Sequence, residues 1–309
     1  MSDKNQKMLK SGLRFSLRLT FKALVRPPLP VKWQRALVSL LADIGRLAPQ
    51  VVFEQYSVGG ITVERVTPKR VSKGKVILYF HGGAYCLGSA KTHRSLSSHL
   101  ASSSNVQVVL PNYRLAPEHP FPAAQDDALL CYKALLAEGY SPSDIIVGGD
   151  SAGGGLALSL LVRLQREGMS FPAGQILLSP FVDLTLSGRS IVERRKREPM
   201  LAQAWIAQGV EMYASEKYIT DAACSPLFAN LEGFPPMKIQ VGSEEVLFDD
   251  ADRLAKKARE SGVEVYLEEF EGCWHVFQLQ VGTLSAADHA VESLAKFIRQ
   301  KLNLELSQN

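Results

Sequence analysis

Cysteine is scarce in this chain: Cys86, Cys131, Cys224 and Cys273 are the only four in 309 residues. No two share a C-x-x-C spacing, which excludes the common zinc and dithiol redox patterns. An even count says little about disulfides in a chain this long, so free buried thiols and a cytoplasmic location are expected. Long apolar runs are missing too. No stretch of about 20 uncharged apolar residues occurs, so neither a transmembrane helix nor stable membrane insertion is expected. The segment LRFSLRLTFKALV (13–25) is broken by Arg14, Arg18 and Lys22. With no small-residue cleavage site after it, it does not read as a signal peptide. There is no internal repeat, no low-complexity tract, and no motif calling for a metal or cofactor.

The charge that is present is unevenly placed. The chain carries +4 overall, but residues 1–50 hold ten Lys and Arg against Asp3 and Asp43, leaving a mildly acidic remainder. Without a nucleic-acid motif beside it, this asymmetry marks an accessory segment rather than a nucleic-acid surface. Leu9, Leu13, Leu17, Phe21 and Leu24 recur at helical spacing, and Pro27, Pro28 and Pro30 end the run. A second helix is expected over 31–46. Both are expected to pack on the main domain rather than on a membrane surface. With 46% hydrophobic and 21% charged residues, the chain has the composition of a soluble globular protein with a large core.

From residue 50 the pattern alternates. VVFEQYSV and ITVERVT flank Gly59-Gly60 as an antiparallel hairpin. KVILYF and VQVVL are short apolar runs of the kind buried strands show, and DIIVGG, QILLS, MKIQVG and VEVYLEEF follow as further strands. Helical segments at 122–138, 151–167, 248–262 and 283–303 separate most of them. Strand and helix in alternation predict a mostly parallel sheet with helices on both faces. Residues 184–220 hold no strand pattern and read as a helical insertion.

Within DIIVGGDSAGGGLA, Ser151 stands where a buried strand turns into a helix, inside G-x-S-x-G. That context is the nucleophile elbow: small neighbours allow a tight turn that exposes the hydroxyl at the sheet's end, over a helix N-terminus that favours negative charge. A serine hydroxyl needs a base. In this chain order the base follows the serine, leaving His275 and His289; His289 sits within the last predicted helix, whereas His275 follows a strand, where sites of open sheets gather. An acid is expected between them to hold the imidazole tautomer, and GSEEVLFDD offers Glu244, Glu245, Asp249 and Asp250. Spacing alone does not choose among the four. Upstream, His81-Gly82-Gly83 follows another strand; the N–H groups of Gly82 and Gly83, with that of Ala152, are suited to an oxyanion hole.

HGGAY (81–85), YRLAPEHPFPAA (113–124), GDSAGGGLA (149–157) and GCWHVF (272–277) together resemble the hormone-sensitive-lipase-like esterases, the bacterial family IV lipolytic enzymes. The resemblance spans roughly residues 50–303. It implies an α/β-hydrolase fold: N-terminal cap helices at 1–45, a catalytic domain at 46–183 and 221–309, and a second cap segment at 184–220. It also implies hydrolysis of short- to medium-chain acyl esters through an acyl-enzyme. Aligning Leu247 and Asp249 with the family's Asp-Pro-Leu-x-Asp stretch puts Glu245 at the acid position, with Asp249 as the fallback. The family assigns Gly82, Gly83 and Ala152 to the oxyanion hole and leaves His81 a structural role. Arg114 and Glu118 are expected as buried bracing, and Tyr85, Trp274 and cap residues around Met200–Tyr213, Tyr213 among them, as acyl-pocket walls. The expected partner is a small-molecule ester; homodimerisation is left open. The alternatives are a ligand-binding receptor on the same fold, of the kind that has lost the histidine, and a lactonase or amidase.

Overall fold

The computed structural model describes residues 3–42 and 44–304. Residues 1, 2 and 43 of the expected N-terminal segment, and 305–309 of the expected catalytic domain, lie outside them. Strands β1 (Val51–Val58) and β2 (Ile61–Pro68) form an antiparallel hairpin. Gly59 and Gly60 turn it with φ of 55° and 89°, the left-handed pair that a two-residue hairpin demands. Strands β3 (Val76–Phe80), β4 (Gln107–Pro111), β5 (Ile145–Asp150), β6 (Gly174–Leu178), β7 (Met237–Gly242) and β8 (Val265–Phe270) pair in parallel. The order across the sheet is β1-β2-β4-β3-β5-β6-β7-β8. The edge strands β1 and β8 are half-exposed and the central ones fully buried, which is why the latter read as unbroken apolar runs.

Period-2 alternation splits the core in two. On β3, Val76, Leu78 and Phe80 join one cluster while Ile77 and Tyr79 join the other. The helices, in chain order, are α1 (Asp3–Leu17), α2 (Val31–Ala42), α3 (Arg94–Ser104), α4 (Ala123–Ala137), α5 (Ala152–Arg166), α6 (Ser190–Glu193), α7 (Gln203–Tyr213), α8 (Phe248–Glu260) and α9 (Ser285–Lys301). Helices α4, α5 and α8 fill the first cluster, and α3 with α9 the second. Helix α3 was not anticipated. Its sequence, RSLSSHLASSS, is rich in a residue that competes with helical hydrogen bonding. Its buried hydroxyls are satisfied nonetheless: Ser98 Oγ accepts from Ala48 N at 2.9 Å, and Ser104 Oγ donates to Leu100 O at 2.6 Å. Among the described residues, no helix is long and apolar enough to cross a membrane.

The N-terminal stripe holds from Leu9 through Phe21, but the chain passes through a π-helical turn at Arg18–Lys22. The wider turn offsets the register, so Val25 is buried and Leu24, expected on the packed face, is exposed. Helix α2 stops at Ala42, short of the expected 46. The excess positive charge has a local use. Lys10, Arg14, Arg18 and Lys22 recur every four residues along one face. Lys10 donates to Glu271 O (2.7 Å), Arg14 to Arg197 O (2.8 Å), Arg18 to Lys196 O (3.0 Å) and Lys22 to Arg195 O (2.7 Å). In this ladder Arg14, Arg18 and Lys22 tie the segment to the insertion between β6 and β7, and Lys10 ties it to the turn after β8. Trp205 of α7 completes the join: its Nε1 donates to Gln34 Oε1 at 2.9 Å, and Phe21 meets its ring edge-on. The insertion itself is largely irregular; α6 has four residues and α7 eleven.

Candidate active site

The glycine loop, the serine, the four candidate acids and His275 follow the C-terminal ends of β3, β5, β7 and β8 respectively. At the end of β5, Ser151 adopts φ 53° and ψ −123°, a backbone state costly to any L-residue. Three backbone bonds hold it: Ser151 N to Leu178 O (2.9 Å), and Gly155 N (3.1 Å) and Phe181 N (2.9 Å) to Ser151 O. Gly153 is obligatory here because a Cβ on it would lie 2.0 Å from Phe80 O. Ala152, wholly buried, opens α5, so its N–H is one of the first-turn donors a helix leaves unpaired.

After β3 the loop is equally constrained. Gly83 has φ 122°, and a side chain there would meet Leu87 O at 2.3 Å. Ala84 and Tyr85 follow with φ of 52° and 60°, a run of left-handed residues that no propensity argument anticipates. Gly82, Gly83, Ser151 and His275 all line one cavity of about 310 Å³. Its far walls are apolar: Leu13, Leu17 and Phe21 from the N-terminal helix, Val38 from α2, and Met200 and Trp205 from the insertion.

The four candidate acids go to four different places. Glu245 is fully buried, and its Oε2 lies 2.7 Å from His275 Nδ1. Its Oε1 accepts from Gly242 N (2.7 Å) and Ser179 Oγ (3.0 Å). Ser179 Oγ in turn accepts from Val276 N at 3.0 Å, so one hydroxyl joins the acid to the histidine loop. Glu244 faces away, toward Arg14 (3.4 Å) and Arg197 (3.7 Å). Asp249 caps the α6 turn by accepting from Ser190 N at 3.1 Å. Asp250 accepts from Val182 N (2.9 Å) and Asp183 N (3.0 Å). Burial removes the His275 imidazolium from water, but Glu245 and then Glu198 outweigh this and raise its proton affinity.

Burial lifts the Asp250 carboxyl to about 7, with the nearby Asp183 adding to the effect. A raised acid stabilises the fold fully below its unfolded value, near pH 4, and that contribution is lost as pH rises through 7. In Asp250→Asn the amide oxygen keeps both N–H bonds and the titration disappears. Its melting temperature relative to the wild type is therefore expected to climb between about pH 4 and pH 7 and level off above. A difference that stays flat across that range in thermal scans would contradict the buried-acid account.

Several expectations need correction. Tyr85 and Tyr213 do not line the cavity: they stack on each other at 3.7 Å and 4°, buried beneath the loop, with Gln125 donating to the Tyr213 hydroxyl at 2.7 Å. Trp274 does not line it either. Neighbouring residues in an extended turn point to opposite sides, so with His275 facing the cavity Trp274 enters the core cluster shared with α3 and α9. Arg114 does pair with Asp127 at 2.7 Å, but its side chain is 45% exposed. Glu118, 55% exposed, pairs with Arg35 of α2 rather than with a buried partner. His81 is buried, bonds Gly82 O through Nδ1 at 2.8 Å and stacks on Tyr113; burial pushes its proton affinity down to about 3. His289 lies exposed on α9.

Two groups in the site escaped sequence reasoning. His93 Nε2 meets Asp150 Oδ2 at 3.2 Å, and Tyr79 donates to Asp150 Oδ1 at 3.0 Å. Burial opposes the Asp150 charge, yet His93 and Tyr79 hold it below the ordinary carboxyl range. Glu198, in the insertion, is fully buried and its Oε2 accepts from the backbone N–H of His275 at 3.2 Å. The trace it leaves in the sequence is slight: it is one of two acids, with Glu193, that flank the basic run Arg194–Arg197.

The comparisons agree with this geometry. The sequence model of the α/β-hydrolase fold family matches residues 77–279. An esterase of Acinetobacter venetianus is 38% identical, over 89% of this chain and 92% of its own. An acetyl-hydrolase of Streptomyces hygroscopicus is 40% identical, over 79% and 81%. Among solved structures, an esterase from the bacterial hormone-sensitive lipase family superposes with a TM-score of 0.90 at 33% identity, covering 98% of this chain and 99% of that one. A hormone-sensitive lipase from a metagenome library gives 0.91 at 35%, covering 95% and 98%. With the family's model matching two thirds of the chain, and esterase relatives and hormone-sensitive-lipase-family structures matching it along most or nearly all of its length, the protein belongs to the hormone-sensitive-lipase-like carboxylic ester hydrolases of the α/β-hydrolase superfamily.

Proposed function

We propose that the chain hydrolyses short- to medium-chain acyl esters in two steps at Ser151. Ser151 Oγ attacks the ester carbonyl while His275 Nε2 takes its proton, then returns it to the leaving alcohol. Water, activated by the same imidazole, releases the acid. Glu245 holds Nδ1–H and stabilises the imidazolium. The N–H groups of Gly82, Gly83 and Ala152 receive the oxyanion. The observation that carries this reading is the buried Glu245–His275 contact of 2.7 Å opening on a cavity shared with Ser151. A receptor that only binds its ligand has no use for a preorganised imidazole beside an elbow serine. Residues 1–45 and 184–220 serve as a cap in this reading, supported by their apolar side chains on the far wall. A cytoplasmic setting is supported by the four cysteines, all buried and unpaired.

A series of chromogenic esters of increasing acyl length tests the proposal directly. The wild type is expected to be active from acetate upward, with a cutoff imposed by the wall. Leu17→Trp, which fills part of the cavity from the N-terminal helix, is expected to lower kcat/KM about tenfold or more on the longest accepted ester while leaving acetate within about threefold. Equal losses at every chain length would place the acyl chain elsewhere.

A further inference from the structure

Glu198 is the one buried carboxylate that joins the histidine to the pocket wall. Both of its oxygens are committed. Oε2 takes the peptide N–H of His275 (3.2 Å), and Oε1 takes those of Met200 (2.7 Å) and Leu201 (3.3 Å). Met200 and Leu201 line the cavity. The backbone carbonyl of Glu198 is held in turn by Lys22 Nζ at 2.5 Å, from the π-helical turn that contributes Phe21 to the same cavity. Three N–H donors converge on an acceptor-only group, the arrangement an ionised carboxylate requires. Burial, with the nearby Glu245 adding to it, raises its own proton affinity overall, against the pull of His275 and the N–H of Met200.

We infer that Glu198 is a positioning residue for the hydrolysis proposed above, fixing the His275 loop and the Met200–Leu201 wall to one another through a single carboxylate. It touches neither substrate nor reacting atoms in this scheme. Its effect is on where the imidazole sits relative to Ser151, a placement to which rates are steeply sensitive. The same charge, with Glu245 and Asp150, surrounds the imidazole and favours its protonated form.

Glu198→Gln keeps the size but offers one acceptor where two are used, so an N–H must face an amide N–H. In purified full-length protein assayed with a chromogenic acetyl ester, kcat is expected to fall about 10–100-fold with KM within about threefold. The acid limb of the kcat/KM–pH profile is expected to move to lower pH, because Glu245 and Asp150 remain but one anion beside His275 is gone. A folded Glu198→Gln protein with wild-type kcat and an unmoved acid limb overturns the inference, as does a lowered melting temperature with both kinetic readouts unchanged. Should that variant fail to fold, Glu198→Asp carries the test. It retains the charge one methylene short, so kcat should drop about tenfold with the acid limb in place, and wild-type kcat overturns the role. A wild type without hydrolysis overturns the esterase reading and this one with it; an active wild type beside an unimpaired Glu198 variant overturns this one alone.

Discussion

Ser151→Ala is expected to lower ester turnover roughly 10⁴–10⁶-fold while the protein stays folded. The loss is large because no other hydroxyl stands at the elbow between the oxyanion donors and His275. The fold survives because the strained backbone at Ser151 is held by its own N–H and carbonyl, bonded to Leu178, Gly155 and Phe181, and the side chain takes no part. Alanine keeps that backbone and leaves a space of one oxygen. A fluorophosphonate probe should label the wild type and not the variant, with melting temperatures within a few degrees of each other. Near-normal turnover by a folded Ser151→Ala protein would remove the basis of the mechanism.

Glu245→Gln is expected to reduce turnover roughly 10²–10⁴-fold with little change in substrate binding. The geometry gives the reason atom by atom. If the amide oxygen keeps Gly242 N and Ser179 Oγ, the NH₂ faces His275 Nδ1 and demands that it accept, which puts the ring proton on Nε2 where the serine proton must go. If the amide turns over, the NH₂ instead faces the Gly242 N–H. Either outcome disables the base or the loop that carries it. Asp249→Asn, in contrast, disturbs only the bond to Ser190 N near the start of α8. Its turnover should stay within about threefold and its melting temperature fall by a few degrees, as for a weakened cap. Activity lost in Asp249→Asn and retained in Glu245→Gln would reverse the two assignments.

That Ser151 and His275 would meet at one cavity was legible in sequence because each follows a strand, and the fold places strand ends together by construction. Glu245 was not legible from spacing. Four carboxylates stood within seven residues, and only alignment with the family's acid-bearing stretch separated it. Its carboxylate is also held by Ser179, just past the end of β6, whose φ of 46° nothing local marks. The aromatic residues misled for a related reason. Tyr85 and Trp274 stand beside site motifs in the chain, but the local turn sends both away from the cavity, and Tyr213 at the end of α7 packs on Tyr85 instead. Of the expected cap wall Met200 does line the cavity, while which N-terminal side chains join it, Leu17, Phe21 and Val38, is set by tertiary pairing of segments far apart in sequence. Helix α3 escaped because serine favours other local bonds until burial forces its hydroxyls back onto the helix.

The ladder from Lys10 to Lys22 has a consequence for how the protein comes into being. Its donors, within residues 10–22, are synthesised well before its acceptors, which lie between Arg195 and Glu271. Until then four cations on an amphipathic helix have no carbonyls to meet, and the apolar face beside them has no wall to complete. The elbow at Ser151 is synthesised before the histidine that would activate it. A nascent chain stalled anywhere before residue 275 therefore carries the serine without its base and without a closed pocket.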